Sequence, residues 1–382
     1  MFFKKNLKIK LLIIFSIIFF GLVGSIIKAE SFKEKKDTEL RKKIGQMLIV
    51  GFRDLEINSD SYIVKTINDL NLGGVILFDK DNPSRGELSR NIASPQQTKK
   101  LISDLKNFSS SHLFVSLDAE GGYVNRLKEK YGFFKIPSAE NLGQGSLANT
   151  SEKADLLGME LTSLGFNMNF APVVDVNINP NNPVIGYLER SFSSDPIKVY
   201  SHGKEFIAGL QQHGIITAIK HFPGHGSSTT DSHLGLVDIT KTWTPKELIP
   251  YLLLIKNGYS DMIMTAHIMN TEIDPDYPAT LSPVFLNLLL RKGLGFKGLI
   301  VSDDMQMGAI ADNFGFEEAL VQAINAGCDV LILSNNIKTY DEQAPYKAVD
   351  AIFKAIQNNQ ISEEKINESY NRIQEFKNNH GI

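Results

Sequence analysis

The run Leu113-Phe114-Val115-Ser116-Leu117 leads into Asp118-Ala119-Glu120-Gly121-Gly122. Five residues without a polar face, followed by an acidic, glycine-broken turn, describe a strand covered on both sides that ends at an exposed rim. The pattern recurs. Comparable short runs lie at 47–50, 74–78, 113–117, 167–173, 215–219, 261–265, 298–301 and 329–333. Seven of them are rich in Val, Ile, Leu and Met with little alternation, as strands of a buried parallel sheet are. Between them fall stretches with helical spacing, at Pro95–Phe108, 151–164, 195–212, 245–257 and Phe316–Ala326. Ser94-Pro95 and Thr244-Pro245 place a capping residue before a proline, which marks helix starts. A charged helical stretch closes the chain at 362–378. Eight strands alternating with helices predict an α/β protein with a (β/α)8 TIM-type barrel in a single domain over 30–382. The alternative is an open doubly wound sheet. It would want a glycine-rich phosphate turn after the first strand, and Gly51-Phe52-Arg53 is not one.

Composition narrows the class. The chain has 382 residues, 42% hydrophobic and 22% charged, which excludes a wholly disordered protein. Its formal net charge is -3. Five lysines precede Glu30 with no acidic residue among them, so from residue 30 onward 35 basic residues face 43 acidic ones. That is no footprint for nucleic acid. A single cysteine, Cys328, rules out a disulfide within the chain. Four lysines in residues 1–10, an apolar run over 11–27 and Lys28-Ala29-Glu30 have the layout of a secretory signal peptide over 1–29. An uncleaved anchor is the alternative, since 17 apolar residues approach the ~17–25 that span a bilayer. No cysteine near the end of the run offers a lipid attachment point. Both readings put the folded part outside the cytoplasm, in the periplasm or extracellular space. Membrane association, if any, runs through this segment alone.

In a barrel of this type chemistry gathers where strands end. Here the strand ends carry Asp118 and Glu120, Asp175, Lys220 and His221, His267, Asp303 and Asp304, and Asn335 and Asn336. So many polar ends on one rim predict a site. The densest segment is Lys220-His221-Phe222-Pro223-Gly224-His225-Gly226, followed by Asp231-Ser232-His233. Three histidines raise a metal site. Zinc hydrolases on barrels want a tight His-x-His pair, which is absent, and Lys220 beside His221 repels a cation. No metal and no cofactor are expected. Lysine and histidine as donors to sugar hydroxyls fit the pattern better.

These residues resemble the signature of family 3 glycoside hydrolases, in the β-N-acetylhexosaminidase (β-N-acetylglucosaminidase) branch. Further motifs carry the likeness: the Asp118 to Gly122 turn, Phe170-Ala171-Pro172-Val173-Val174-Asp175-Val176, Glu189-Arg190-Ser191-Phe192, Thr265-Ala266-His267 and Ser302-Asp303-Asp304-Met305. It covers about residues 40–340. The resemblance implies Asp303 as nucleophile, His233 as acid/base and Asp231 as its carboxylate partner. It implies that Asp118, Arg126, Arg190, Lys220 and His221 hold a terminal N-acetylglucosamine. Two positions depart from the pattern. Ala119 stands where Gln is usual, and Tyr123 stands where Arg is common, which puts contacts beyond the terminal sugar in question.

The residues agree with that chemistry. A retaining glycosidase needs a nucleophile on one face of the sugar and a proton donor at the leaving oxygen. Asp303, at the end of a rigid strand, suits the first role. An imidazole with an ordinary pKa of about 6.5 can give a proton and take one back near neutrality. Asp304 is the rival of Asp303; neighbours leaving a strand face opposite sides, so one of the two should face the sugar. Glu120 is the next candidate acid after His233. Three further readings remain: a phosphorylase acting on the same glycosides, another family 3 β-glycosidase, and a non-catalytic sugar-binding barrel. The expected partner is a glycan ending in β-linked N-acetylglucosamine, such as peptidoglycan fragments or chitooligosaccharides. For the N-terminus, sequencing of the protein isolated from its native host should return a chain starting near Glu30. Intact Met1 in a membrane fraction would favour the anchor.

Overall fold

A strand with no polar face needs a layer on each side, and closing the sheet supplies one of them. The computed structural model describes residues 31–231, 235–337 and 339–382. The chain divides into two compact units, one up to Lys42, helical from residue 31, and one from Lys43 to Ile382 that carries the barrel. Its strands are β1 (Leu48–Gly51), β2 (Gly74–Ile76), β3 (Phe114–Leu117), β4 (Met168–Asn169), β5 (Ile216–Phe222), β6 (Met262–Thr265), β7 (Leu299–Asp304) and β8 (Val330–Leu333). They close in sequence order, all parallel, with β8 returning to β1 through Leu48 beside Leu331. All eight expected strands are present. The α/β barrel is therefore the observed fold, and the open-sheet alternative falls.

The helices that follow these strands are α1 (Tyr62–Leu70), α2 (Pro95–Phe108), α3 (Leu147–Leu164), α4 (Pro196–Gln211), α5 (Ile249–Lys256), α6 (Val284–Gly293, wound as a π-helix), α7 (Phe316–Ala326) and α8 (Ala344–Gln357). A ninth, α9 (Glu363–Asn379), ends the chain. Ser94 caps α2 as expected, accepting from the Gln97 amide. Thr244 does not cap. The chain enters α5 through a 3-10 turn, the Glu247 amide donates to the Thr244 carbonyl at 3.0 Å, and the Thr244 hydroxyl is buried without a hydrogen-bond partner among the described residues. Helices α3 and α4 approach through Gly209, where an added Cβ would sit 2.5 Å from the Ala154 Cβ.

Several strands end where the sequence misplaced them, for reasons that bear on the site. The fourth was expected to run to Val173 but pairs only at Met168–Asn169. Pro172 has no N–H for the ladder, and pairing resumes only at Val173 beside Lys220. β5 and β7 run longer than expected, through Lys220-His221-Phe222 and Ser302-Asp303-Asp304. Their charged residues remain in the ladder because partners from other strands meet them there.

The opposite end of the barrel is sealed by α9. Lys377 is buried and donates to the carbonyls of Gly73 (2.9 Å) and His112 (2.7 Å) and to Gln46 Oε1 (3.0 Å), just before β2, β3 and β1. Burial lowers its pKa to about 7. Lys377→Met takes a donor from each of these buried acceptors, of which Gly73 and Gln46 keep one from the Phe114 amide and Gln374, and should cost about 1–3 kcal/mol, read as a lower urea midpoint. An unchanged midpoint would show that the seal does not depend on this ammonium.

Candidate active site

The rim begins at the end of β3. Asn169, at the end of β4, clamps the Ala119 peptide from both sides, accepting its N–H and donating to its carbonyl, each at 2.9 Å. A short antiparallel pair, Ala119–Gly121 with Val124–Asn125, then folds the chain back. Gly122 has φ 58 and sits so close to Ser138 that an added Cβ would lie 2.5 Å from the serine Cβ. The reversal returns Arg126 to Asp118: the Arg126 amide donates to the Asp118 carbonyl at 3.0 Å and its Nη2 to Asp118 Oδ2 at 3.1 Å.

Lys220, at 2% exposure, lies between two carboxylates, 2.8 Å from Asp118 Oδ1 and 2.7 Å from Glu120 Oε1. Arg190 grips Glu120 with both arms of its fork at 2.8 Å and donates to the Val184 carbonyl at 2.9 Å. Its Nη2 also meets His221 Nε2 at 3.1 Å. Arginine only donates, so His221 Nε2 accepts, and the ring proton on Nδ1 is directed to Asp175 Oδ2 at 2.7 Å. Asp175 is wholly buried and also accepts the His225 amide at 2.8 Å and the His221 amide at 3.2 Å. Asp118, Arg126, Arg190, Lys220 and His221, expected from the sequence as one group, thus form a continuous chain with Glu120 and Asp175. Burial alone would raise the pKa of these three acids. The cations outweigh it for Asp118 and Glu120, and His221 and His225 do so for Asp175, so all three are held below their ordinary values. For Arg190, burial opposes the charge and Glu120 restores it, leaving the guanidinium pKa raised.

At the end of β7 the two aspartates part. Asp304 Oδ1 accepts the amides of Ser334 (3.0 Å) and Gln306 (3.2 Å), and its Oδ2 accepts the Ser334 hydroxyl. Burial raises its pKa to about 6. Asp303 Oδ1 accepts the Asp304 amide at 2.7 Å. Asp304 is thereby tied to Ser334, just past β8, and to Gln306, just past β7. His267 donates through Nε2 to the Asp304 carbonyl at 2.9 Å, while its Nδ1 meets the Thr280 hydroxyl at 2.8 Å.

The loop after β5 is held from below. An added Cβ at Gly226 would lie 1.8 Å from the Val176 carbonyl oxygen, so only glycine fits. Asn182 Nδ2 donates to the His225 carbonyl at 2.6 Å, and the His225 ring meets the Ser228 hydroxyl at 2.7 Å. Burial, then the neighbouring His221, lower the His225 pKa to about 4, which makes it a neutral structural ring. Trp243 donates to the Pro223 carbonyl at 3.2 Å and so fastens the far end of the loop. Asp231 is half-buried. His233, with Ser232 and Leu234, lies outside the described residues.

One residue had no signal in the sequence. Glu247, fully buried at the entry to α5, accepts the amides of Gly226 (2.9 Å) and Ser227 (3.3 Å) through one oxygen. The bonding of Glu120 and Asp175 was equally hidden, although both stood in quoted motifs.

The fold and this rim define a (β/α)8 barrel protein with a charged, ordered site at the C-terminal ends of its strands. Residues 39–376 match the glycosyl hydrolase family 3 N-terminal domain. A beta-hexosaminidase of Tolumonas auensis is 38% identical over 271 residues, 69% of this chain and 76% of its own length. Beta-hexosaminidase A of Pseudoalteromonas piscicida is 34% identical over 334 residues, 81% of this chain, which spans about half (54%) of that relative. Among solved structures, the family 3 beta-N-acetylglucosaminidase of a Paenibacillus species superposes with a TM-score of 0.80 at 35% identity, covering 89% of this chain and 62% of that one. The beta-N-acetylhexosaminidase of Beutenbergia cavernae does so at 0.77 and 28% identity, covering 90% and 98%. The chain belongs to glycosyl hydrolase family 3.

Burial raises the Glu247 pKa to about 7, so between its ordinary value of 4.5 and pH 7 the folded protein binds the proton that the unfolded chain releases. Stability from this group is present at low pH and is lost as pH rises through that window, by about 3 kcal/mol in all. Glu247→Gln cannot titrate. Its thermal midpoint should gain on the parent between pH 5 and pH 8, and parallel curves would show that the carboxyl titrates normally.

Proposed function

We propose that the protein is an exo-acting, retaining β-N-acetylhexosaminidase that hydrolyses terminal β-linked N-acetylglucosamine from glycans such as peptidoglycan fragments or chitooligosaccharides. The observation that carries the proposal is the division of labour at β7. Asp304 is tied to Ser334 and Gln306, while Asp303, beside it at the same strand end, has neither of these partners in common with it and is assigned to the sugar by its place in the Ser302-Asp303-Asp304-Met305 motif. Relatives named beta-hexosaminidases over 69–81% of the chain support the sugar class.

Asp118 presents an ordered, ionised acceptor for sugar hydroxyls, fixed by Lys220 and Arg126. Lys220 has two of its three protons engaged, and both ring nitrogens of His221 are engaged within the protein. His221 and Arg190 therefore act chiefly by holding Glu120 and the rim in place. In the first step an Asp303 oxygen attacks the anomeric carbon as the glycosidic C–O bond breaks. His233, as imidazolium, passes its proton to the departing oxygen, and Asp231 orients and charge-stabilises the ring. In the second, neutral His233 takes a proton from water. The resulting hydroxide attacks the anomeric carbon and releases Asp303. No cofactor is needed. The folded part would meet such glycans after export, in the periplasm or outside the cell.

Substrate choice separates these roles. Asp303→Ala should lower turnover by several orders of magnitude on every substrate, since no glycosyl-enzyme can form. His233→Ala should nearly abolish cleavage of an N-acetylglucosamine disaccharide, whose alkoxide needs the proton, yet retain the pre-steady-state burst from a nitrophenyl glycoside. Azide, which needs no deprotonation, should restore part of that aryl turnover. Equal loss on both substrates, with neither burst nor rescue, would move the acid elsewhere on the rim, first to Glu120.

A further inference from the structure

The β7 end of the rim rests on a turn that is held from two strands away. After β8 the chain runs Ser334-Asn335-Asn336. Both the amide and the hydroxyl of Ser334 donate to Asp304, the amide to Oδ1 at 3.0 Å and the hydroxyl to Oδ2. The Asn336 amide donates to the Ser334 hydroxyl oxygen at 3.1 Å, which leaves the hydroxyl proton for Asp304. The Asn335 amide donates to Gln306 Oε1 at 2.7 Å, and the Gln306 amide binds Asp304 in turn. Asn335 itself has φ 48, in the left-handed region. Its side chain is clasped by the Asp341 backbone, donating to the carbonyl at 2.9 Å and accepting from the amide at 3.0 Å.

Arg90, in the segment after β2, reaches this turn across the end of β1, since the three strands lie side by side in the order β8-β1-β2. The residue is 1% exposed. Its Nη1 donates to Asn336 Oδ1 at 3.1 Å and to Asp81 Oδ1 at 2.8 Å. Its Nη2 donates to the Asn335 carbonyl at 2.8 Å and lies 3.4 Å from the Ser334 carbonyl. Asp81 is fixed independently, by both arms of Arg53 at 2.9 Å and by the Ser84 amide at 3.1 Å. On the other side of the turn Gly51 ends β1, where an added Cβ would lie 1.8 Å from the Ser334 carbonyl oxygen. The turn is thus confined by β1 and gripped by a rigid, planar fork. Burial lowers the Arg90 pKa to about 10, so the fork is charged at neutral pH.

The order of the turn reaches Asp303 through its neighbour. The Asp304 amide donates to Asp303 Oδ1 at 2.7 Å, and the Asp304 carbonyl accepts from His267 at 2.9 Å. A displaced Asp304 side chain therefore moves the peptide on which Asp303 Oδ1 rests. We propose that Arg90 is a positioning residue for the Asp303 nucleophile, acting through the Ser334–Asn336 turn and Asp304. The proposal rests on the hexosaminidase reading and adds to it a buried residue from the segment after β2. Arg90→Lys keeps the charge, but one ammonium cannot meet every acceptor of the fork. With a nitrophenyl N-acetylglucosaminide and with an N-acetylglucosamine disaccharide, R90K should lower kcat about tenfold and leave KM within about twofold. Labelling of Asp303 by a mechanism-based fluorosugar should slow by the same factor. Ser334→Ala removes only the hydroxyl and should act in the same direction. Because both changes lie on one path, the double variant should be no slower than the slower single one. Unchanged kcat beside a lower thermal midpoint, a loss carried by KM, or losses that multiply in the double variant would overturn the proposal. Should R90K fail to fold, Asn336→Ala, which removes an acceptor of Arg90 and leaves the guanidinium in place, is measured instead, with the same outcomes. If the parent protein cleaves neither substrate and takes no label, the hexosaminidase reading fails by itself. Carbon-13 NMR titration of the Asp304 carboxyl then decides about the path. The amide and hydroxyl of Ser334 lower this pKa, so loosening the turn should raise it. A rise in R90K as well as in S334A supports the coupling of Arg90 to Asp304, and no change in R90K overturns it.

Discussion

The site depends on one buried ammonium. Lys220 has left water at the end of β5, and such a charge is tolerable only where opposite charges replace the lost hydration. Asp118 and Glu120 supply that replacement from β3, two strands away around the barrel. Each carboxylate is in turn tied by an arginine, Arg126 to the first and Arg190 to the second. Removing any one member would strand a charge in a dry place, so the group stands as a unit. Its consequence is pre-organisation: the acceptors on the rim are held ionised and oriented by the protein itself.

A second constraint runs through Asp175. This wholly buried carboxylate binds the His221 ring and the amides of His221 and His225, so the turn after β5 is fixed by a residue from the segment after β4. Glu247 holds the next two amides, and Gly226 fits only because it has no side chain. The loop that bears Asp231 therefore leaves the barrel from a rigid base.

Two adjacent aspartates with separate environments complete the arrangement. Asp304 lies among the amides of Gln306 and Ser334 and the Ser334 hydroxyl and is pushed up to about 6 by burial, while Asp303 accepts the Asp304 amide. Environment, more than residue type, assigns such pairs their tasks. The same serine that holds Asp304 connects through Asn336 to Arg90, so the β7 end of the rim and the segment after β2 share one network.

The sequence by itself determined the barrel. Parallel strands covered on both faces read as unbroken apolar runs, and that signal is local, so all eight were legible to within a few residues. It also placed most of the polar rim residues together, because polar residues that end such strands must gather at one end of the barrel. Where it failed, the deciding partner was distant along the chain. Nothing near Lys220 or Asp304 announces that their strands continue through them, since the groups that satisfy those positions are Asp118, Glu120 and Ser334. Nothing near Thr244 announces the 3-10 entry that denies it a cap, nor does a glutamate after a proline announce a buried buttress. The tertiary structure decided these points because the cost of burying a polar group depends on what surrounds it, and here those surroundings come from other strands.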